Sequence, residues 1–248
     1  MKRVAVVGGT GVVGRHVVDA LRGQGHEAVV VARSTGVDVT TGAGLVEALA
    51  GCAAVVDAAN VTTMGRRTSV AFFEAATRNL VEAGRQAGVA HLVALSIVGC
   101  DRVDLGYYAG KRRQEELVLA AGVPGTVLRA TQFHEFAGQL LDRTKGPLVV
   151  VPDMLNQPIA AREVGAALAE LALGEPAGRV PDLAGPEQLR MPDMVRRLLG
   201  SRGVEKRVWT LRIPFGAGRV AASGGLVPDG PGPRGVQTYD AWLAEEGR

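Results

Sequence analysis

Val4-Ala5-Val6-Val7 runs without interruption into Gly8-Gly9-Thr10-Gly11-Val12-Val13-Gly14, and the chain continues in an apolar pattern at helical spacing. A β-branched run that ends in glycines and opens a helix reads as strand, tight turn and helix. The glycines satisfy G-x-G-x-x-G at Gly9, Gly11 and Gly14, and equally G-x-x-G-x-x-G at Gly8, Gly11 and Gly14. Such a backbone turns sharply and comes close to a pyrophosphate, whose charge the N–H groups and dipole of the helix N-terminus favour. Glycine-rich turns also serve plain tight packing. The helical period of Val12, Val13, His16, Val17, Ala20 and Leu21 directly after the strand favours a dinucleotide phosphate loop of Gly8, Thr10, Gly11, Val12, Val13 and Gly14.

A second strand, Ala28 to Ala32, ends in Arg33-Ser34. A carboxylate at this point would bind the adenosine ribose of NAD. A guanidinium and a hydroxyl instead suit the 2′-phosphate of NADP(H), because the guanidinium offers fork-shaped donors to an anion. Asp38 is the counter-indication, since a shifted register brings its carboxylate to the ribose; beside the adenine it does not interfere.

The 248 residues fit one α/β domain, and an apolar share of 47% is ample for a core. A net charge of +3, dispersed along the chain, and an aromatic share of 4% do not support nucleic-acid binding. Cys52 and Cys100 have neither C-x-x-C nor metal-ligand spacing, which predicts buried reduced thiols. The four histidines are scattered, so no metal is expected. With no leader-like segment and no apolar run long enough to span a bilayer, the expectation is a cytoplasmic protein without a membrane partner.

Strands and helices alternate beyond the first two strands: helix at Leu45 to Leu49, strand at Ala54 to Asp57, helix at Ser69 to Gln86 closed by Gly88. A strand at His91 to Leu95, a helix at Tyr107 to Ala121 and a strand at Gly125 to Leu128 follow. This predicts a doubly wound parallel sheet with helices on both faces and ligands at the carboxyl ends of the strands. After Arg129 the pattern loosens. Short apolar runs at Leu148 to Val151 and Ile159, and helices near Arg162 to Leu173 and Pro192 to Leu199, suggest that about 130–248 forms a small substrate lobe of the single domain. Gly216 to Gly235, rich in Gly and Pro, reads as a loop or flap, and Thr238 to Glu246 as a final amphipathic helix.

Tyr107 and Lys111 lie at i and i+4, on one helical face. A phenol with a pKa near 10 is a poor acid–base group at neutral pH, but a neighbouring ammonium favours its phenolate. Ser96, at the carboxyl end of the fourth strand, could hydrogen-bond a substrate carbonyl. Each feature alone is commonplace; their order after a phosphate loop and before a fifth strand points to catalysis.

With these motifs the sequence resembles the short-chain dehydrogenases/reductases, in particular the atypical, NmrA-like NAD(P)-binding branch. The resemblance covers nearly the whole chain and rests on Gly8 to Gly14, Ala32-Arg33-Ser34, Ser96 to Gly99, Tyr107 to Lys111, Leu128 to Phe133 and Tyr239 to Leu243. It implies a Rossmann-like fold, with Tyr107 protonating the substrate oxygen, Lys111 lowering the tyrosine pKa and binding the nicotinamide ribose, and Ser96 orienting the carbonyl. It further implies that Thr131, Gln132 and Phe133 line the nicotinamide end and that Ala58, Ala59 and Asn60 pass beside the cofactor. Some members of the family bind dinucleotide without catalysis.

Phe133, His134, Phe136 and Met154 are candidates to contact a small, largely apolar substrate. The leading expectation is an NADPH-dependent reductase of a carbonyl, quinone or conjugated enone. A non-catalytic NADP(H)-sensing regulator and a redox-neutral isomerase or cyclase are the rivals. The sequence leaves the oligomeric state open, a homodimer included.

Overall fold

A computed structural model describes residues 1–246. In chain order its elements are β1 (Arg3–Val7), α1 (Gly14–Gly23), β2 (Glu27–Val31), a 3₁₀ turn (Arg33–Thr35), α2 (Leu45–Leu49), β3 (Ala54–Asp57) and α3 (Arg66–Ala87). Then follow β4 (His91–Ile97), α4 (Gly106–Leu119), β5 (Gly125–Ala130), α5 (Phe136–Asp142), β6 (Leu148–Pro152), β7 (Leu155–Asn156) and α6 (Ala161–Leu173). The remainder is β8 (Gly178–Arg179), β9 (Leu189–Arg190), α7 (Met191–Ser201), β10 (Arg207–Leu211), α8 (Gly216–Ala222) and α9 (Tyr239–Glu246).

The chain forms two compact units. The first comprises Met1–Ile97, Leu105–Arg129 and Arg162–Pro181. Its sheet has six strands in the order β2-β1-β3-β4-β5-β8, with parallel pairing of β1 to both β2 and β3. β1 is an interior strand, and Val4 through Val7 are all buried because helices cover both faces. Ala5 and Val7 pack with Leu45 and Leu49 of α2 and Leu80 of α3 on one face. Strand alternation turns Val4 and Val6 to the other, on which α1 buries Val17, Val18 and Leu21. The strand order reverses between β1 and β3, which places the crevice for a ligand at their carboxyl ends.

The second unit comprises Val98–Asp104, Ala130–Ala161 and the chain from Asp182 onward. Its core joins Ala137 and Leu141 of α5, Val149 and Val151 of β6, Met194 and Leu198 of α7, and Tyr239, Trp242 and Leu243 of α9. β6 and β10 form a two-stranded parallel sheet, and β7 and β9 an antiparallel one.

One expectation is corrected, and one strand is additional. Gly216–Ala222, expected as loop, is helix α8: apart from its glycines the segment is Ala, Arg and Val, and it makes a backbone bond from Arg219 N–H to the Phe215 carbonyl at 3.3 Å. β10 had no expected counterpart, although Val208, Trp209 and Thr210 favour a strand; it pairs in parallel with β6. Cys52 and Cys100 are both buried, as expected, and burial pushes the Cys52 thiol pKa up.

Candidate functional site

The glycine loop joins β1 to α1. Gly8 adopts φ +71° and donates its N–H to the Val31 carbonyl at 2.9 Å, while Gly11 N–H reaches back to the Gly8 carbonyl at 2.8 Å. A Cβ at Gly14 would lie 2.0 Å from that same carbonyl, so the first turn of α1 can lie against the loop only with glycine there. No side chain caps α1 and no carboxylate stands in its first turn. Those are the conditions for holding an anion on backbone N–H groups. Ala58 N–H bonds the Val7 carbonyl at 3.0 Å, which sets the loop after β3 beside the glycine loop. The cradle fits a dinucleotide pyrophosphate.

Arg33 and Ser34 are exposed on the 3₁₀ turn after β2. Asp38 accepts the Thr40 N–H at 2.8 Å and the Thr40 hydroxyl at 2.6 Å. These bonds, aided by the nearby Arg33 guanidinium, hold its carboxyl below the ordinary carboxylate value. Asp38 is thus an ionised group already engaged by its own loop.

Tyr107 opens α4 and donates its phenolic proton to Asn60 Oδ1 at 2.8 Å. Ser69 of α3 donates to the Tyr107 carbonyl at 2.8 Å. The close approach of α3 and α4 depends on Gly110, where a Cβ would sit 2.2 Å from Ser69 Oγ. The Tyr107 ring meets Phe73 edge-on at 5.8 Å, and the Lys111 ammonium lies 4.4 Å from the centre of the same Phe73 ring.

Lys111 is buried. Its Nζ donates to the Leu95 carbonyl at 2.6 Å and to Gln114 Oε1 at 2.5 Å. Gln114 Nε2 in turn donates to Asp57 Oδ2 at 2.7 Å, and Asp57 Oδ1 accepts the Ala59 N–H at 3.0 Å. One orientation of the Gln114 amide therefore serves both ends, oxygen to the cation and NH₂ to the carboxylate. Burial raises the Asp57 pKa; Lys111 and the two hydrogen bonds act against that shift. The loop after β3 is tied to α4 twice, through Asn60–Tyr107 and through Asp57–Gln114–Lys111.

Ser96 gives a proton to the Glu115 carboxylate, which also forms a 2.6 Å ion pair with Arg129. A bond from Ser96 to a substrate carbonyl thus requires this one to be exchanged. Asp57, Gln114, Glu115 and Arg129 are absent from the set expected from sequence, although signals existed. Asp57 closes an otherwise apolar strand, and Gln114 follows Tyr107 and Lys111 at i+7 on the same helical stripe.

In the second unit, Thr131 donates to the Gln157 carbonyl at 2.6 Å. Gln132 is buried with neither atom of its carboxamide hydrogen-bonded, a costly arrangement unless a ligand completes it. Phe133, Phe136 and Met154 are half-buried, the last two against the core of the unit. His134 is completely enclosed: its Nε2 lies 3.1 Å from the Gln237 carbonyl, and its ring packs on Tyr239 and Trp242.

A family model described as NAD(P)H-binding matches residues 31–173, more than half of the chain. No curated protein matches it. Among solved structures, the NADPH-dependent quinone oxidoreductase QOR2 of Escherichia coli, complexed with NADPH, superposes with a TM-score of 0.73 at 19% identity, covering 98% of this chain and 99% of that one. MoeE5 in complex with UDP-glucose and NAD gives 0.73 at 21% identity over 98% and 96%. A nucleoside-diphosphate-sugar epimerase from Staphylococcus aureus gives 0.73 at 17% identity over 97% and 99%. At these identities the likeness is one of fold.

Proposed function

The chain belongs to the NAD(P)H-binding family, the placement that its resemblance to the atypical short-chain dehydrogenases/reductases implied, and from that premise we propose that it is an NADPH-dependent reductase of a carbonyl, quinone or conjugated enone. The observation that carries the reading is the pairing on α4 of Tyr107, whose hydroxyl reaches Asn60, with the buried ammonium of Lys111. A bound nicotinamide dinucleotide supplies the hydride. The residues of the chain bind it and manage the proton.

In this reading the loop of Gly8, Thr10, Gly11, Val12, Val13 and Gly14 holds the pyrophosphate, and Arg33 with Ser34 takes the 2′-phosphate. Asp38 stays on Thr40, while Ala58, Ala59 and Asn60 flank the cofactor. Tyr107 Oη delivers its proton to the substrate oxygen and leaves Asn60 to do so. Lys111, held by the Leu95 carbonyl and Gln114, stabilises the resulting phenolate and binds the nicotinamide ribose. Ser96 orients the oxygen once its bond to Glu115 is exchanged. Within the second unit, Phe133, Phe136 and Met154 offer apolar contact to a ligand of that unit. The unpaired Gln132 carboxamide supports a ligand that presents both a donor and an acceptor.

The test is NADPH and NADH consumption across quinones, aldehydes, cyclic ketones and enones, with products identified by mass. Tyr107→Phe is expected to lower turnover by about 10²–10⁴-fold with cofactor affinity unchanged. Undiminished turnover would remove Tyr107 from the mechanism. Product formation without net NADPH consumption would favour a redox-neutral reaction on the same residues.

A further inference from the structure

β6 and β10 present two different faces. Val149 and Val151 point into the core of the second unit, whereas Leu148 and Val150 of β6, and Arg207, Trp209 and Leu211 of β10, are exposed. The parallel register sets Leu148 beside Arg207 and Val150 beside Trp209. The chain then continues through exposed Ile213 and Phe215, with Trp209 59% and Phe215 72% accessible. The solvent face of a two-stranded sheet is ordinarily polar. A contiguous apolar face instead marks an interaction surface.

Its charge says what covers it. From Lys206 to Arg219 the sequence has four cations, Lys206, Arg207, Arg212 and Arg219, and no carboxylate. Arg143 and Lys145, both exposed, add two more just before β6. Arg212 makes only a long 3.6 Å contact to Asp153, whose carboxylate is held by Arg190 at 2.7 Å. A second copy docking face to face would bring two such segments together, each with four cations and no carboxylate over 206–219. An anionic lipid surface instead accepts Trp, Phe, Leu and Ile at the acyl boundary and guanidinium groups at the headgroups.

We propose that the outer face of the β6–β10 pair, with the segment 206–219 that continues from it, docks this protein peripherally on an anionic lipid bilayer. The expectation of no membrane partner rested on the absence of a spanning segment. No helix among the described residues is long and apolar enough to cross a membrane, and a peripheral contact needs none. The inference is independent of the reductase reading.

The test is co-flotation of the full chain with phosphatidylcholine vesicles, with and without phosphatidylglycerol, at low and high salt, while tryptophan emission is followed. Partition into the anionic vesicles, weakened by salt and accompanied by a blue shift, is expected; the shift comes from Trp209, because Trp242 is already buried. Arg207→Ala/Arg212→Ala should weaken partition about 30-fold, and Trp209→Ser/Phe215→Ser should abolish the shift and cut partition by at least about tenfold. Circular dichroism confirms folding, and the arginine pair carries the test if the aromatic pair misfolds. No partition, partition indifferent to both pairs, or equal binding to neutral vesicles would overturn the proposal. So would a stable dimer in ultracentrifugation that the aromatic pair dissolves, since the occupant would then be a second copy.

Discussion

The two units bury polar groups of different kinds. Among the described residues the first encloses charge: Asp57, Lys111, Glu115 and Arg129 are all buried there. Among the described residues the second encloses no carboxylate, lysine or arginine side chain; its buried polar groups are Thr131, Gln132, His134, Asn156, Gln157 and Gln237. Buried charges persist only when paired and hydrogen-bonded, and in the first unit each has such partners within β3, β4, β5 and α4. The cost of that arrangement is justified where chemistry needs an ammonium at a fixed point. The second unit has aromatic rings and amides, suited to recognising a ligand rather than moving protons.

Breaking a charge pair should therefore hurt the first unit far more than breaking a neutral bond hurts the second. Arg129→Met removes the guanidinium that pairs with the buried Glu115 carboxylate. Chemical denaturation should show a loss of about 3–5 kcal/mol, most of it regained in Glu115→Leu/Arg129→Met. A loss under about 1 kcal/mol would erase the contrast.

Arg33→Ala tests whether charge also sets cofactor choice at the surface of the same unit. The NADPH-over-NADH preference in kcat/KM should fall by about 10–100-fold, the worth of charge-assisted hydrogen bonds to a phosphate. An unchanged preference would return Arg33 to the role of a solvated cation.

Tyr239→Phe is the counterpart in the second unit. Tyr239 donates to the Met194 carbonyl at 3.2 Å while its ring stacks on Trp242. Because the partner is a neutral helix carbonyl, the loss should be only about 1 kcal/mol by denaturation.

The smallest effect lies in pH. His91, buried on β4 with Nε2 2.7 Å from Thr126 Oγ1, has its pKa lowered from 6.5, chiefly by burial. The unfolded chain then binds a proton at a pH where the folded one does not. Stability from the neutral ring is present above 6.5 and drains as pH falls through it towards the folded value. His91→Gln should flatten the acid side of the stability profile by less than about 1.4 kcal/mol per pH unit. His16, lowered mainly by burial too, keeps part of the slope, so its double variant with His91 should be flatter still.

Strands buried on both faces were easy to read. β1, β3 and β5 are built on the apolar or β-branched runs Val4–Val7, Ala54–Val56 and Thr126–Leu128, and the predicted α2 and β3 agree with the observed bounds. The 3.6-residue stripe on α4 likewise brought out Tyr107 and Lys111. β10 reads Arg-Val-Trp-Thr-Leu, a pattern that becomes a strand only when β6 supplies the hydrogen bonds. His134, expected to touch substrate, lies enclosed by Tyr239 and Trp242, more than a hundred residues later in the chain.

By itself the sequence determined the alternation of strands and helices, the glycine cradle and the identity of the groups able to move a proton. These are local properties, set by side-chain periodicity, by backbone freedom and by functional-group chemistry. Only the tertiary structure decided that Gln114 would bridge Lys111 to Asp57, that Ser96 would give its proton to Glu115, and that one face of β6 and β10 would keep its apolar side chains in water. Those outcomes depend on residues far apart in the chain meeting at hydrogen-bond distance, and on which faces the core has room to cover.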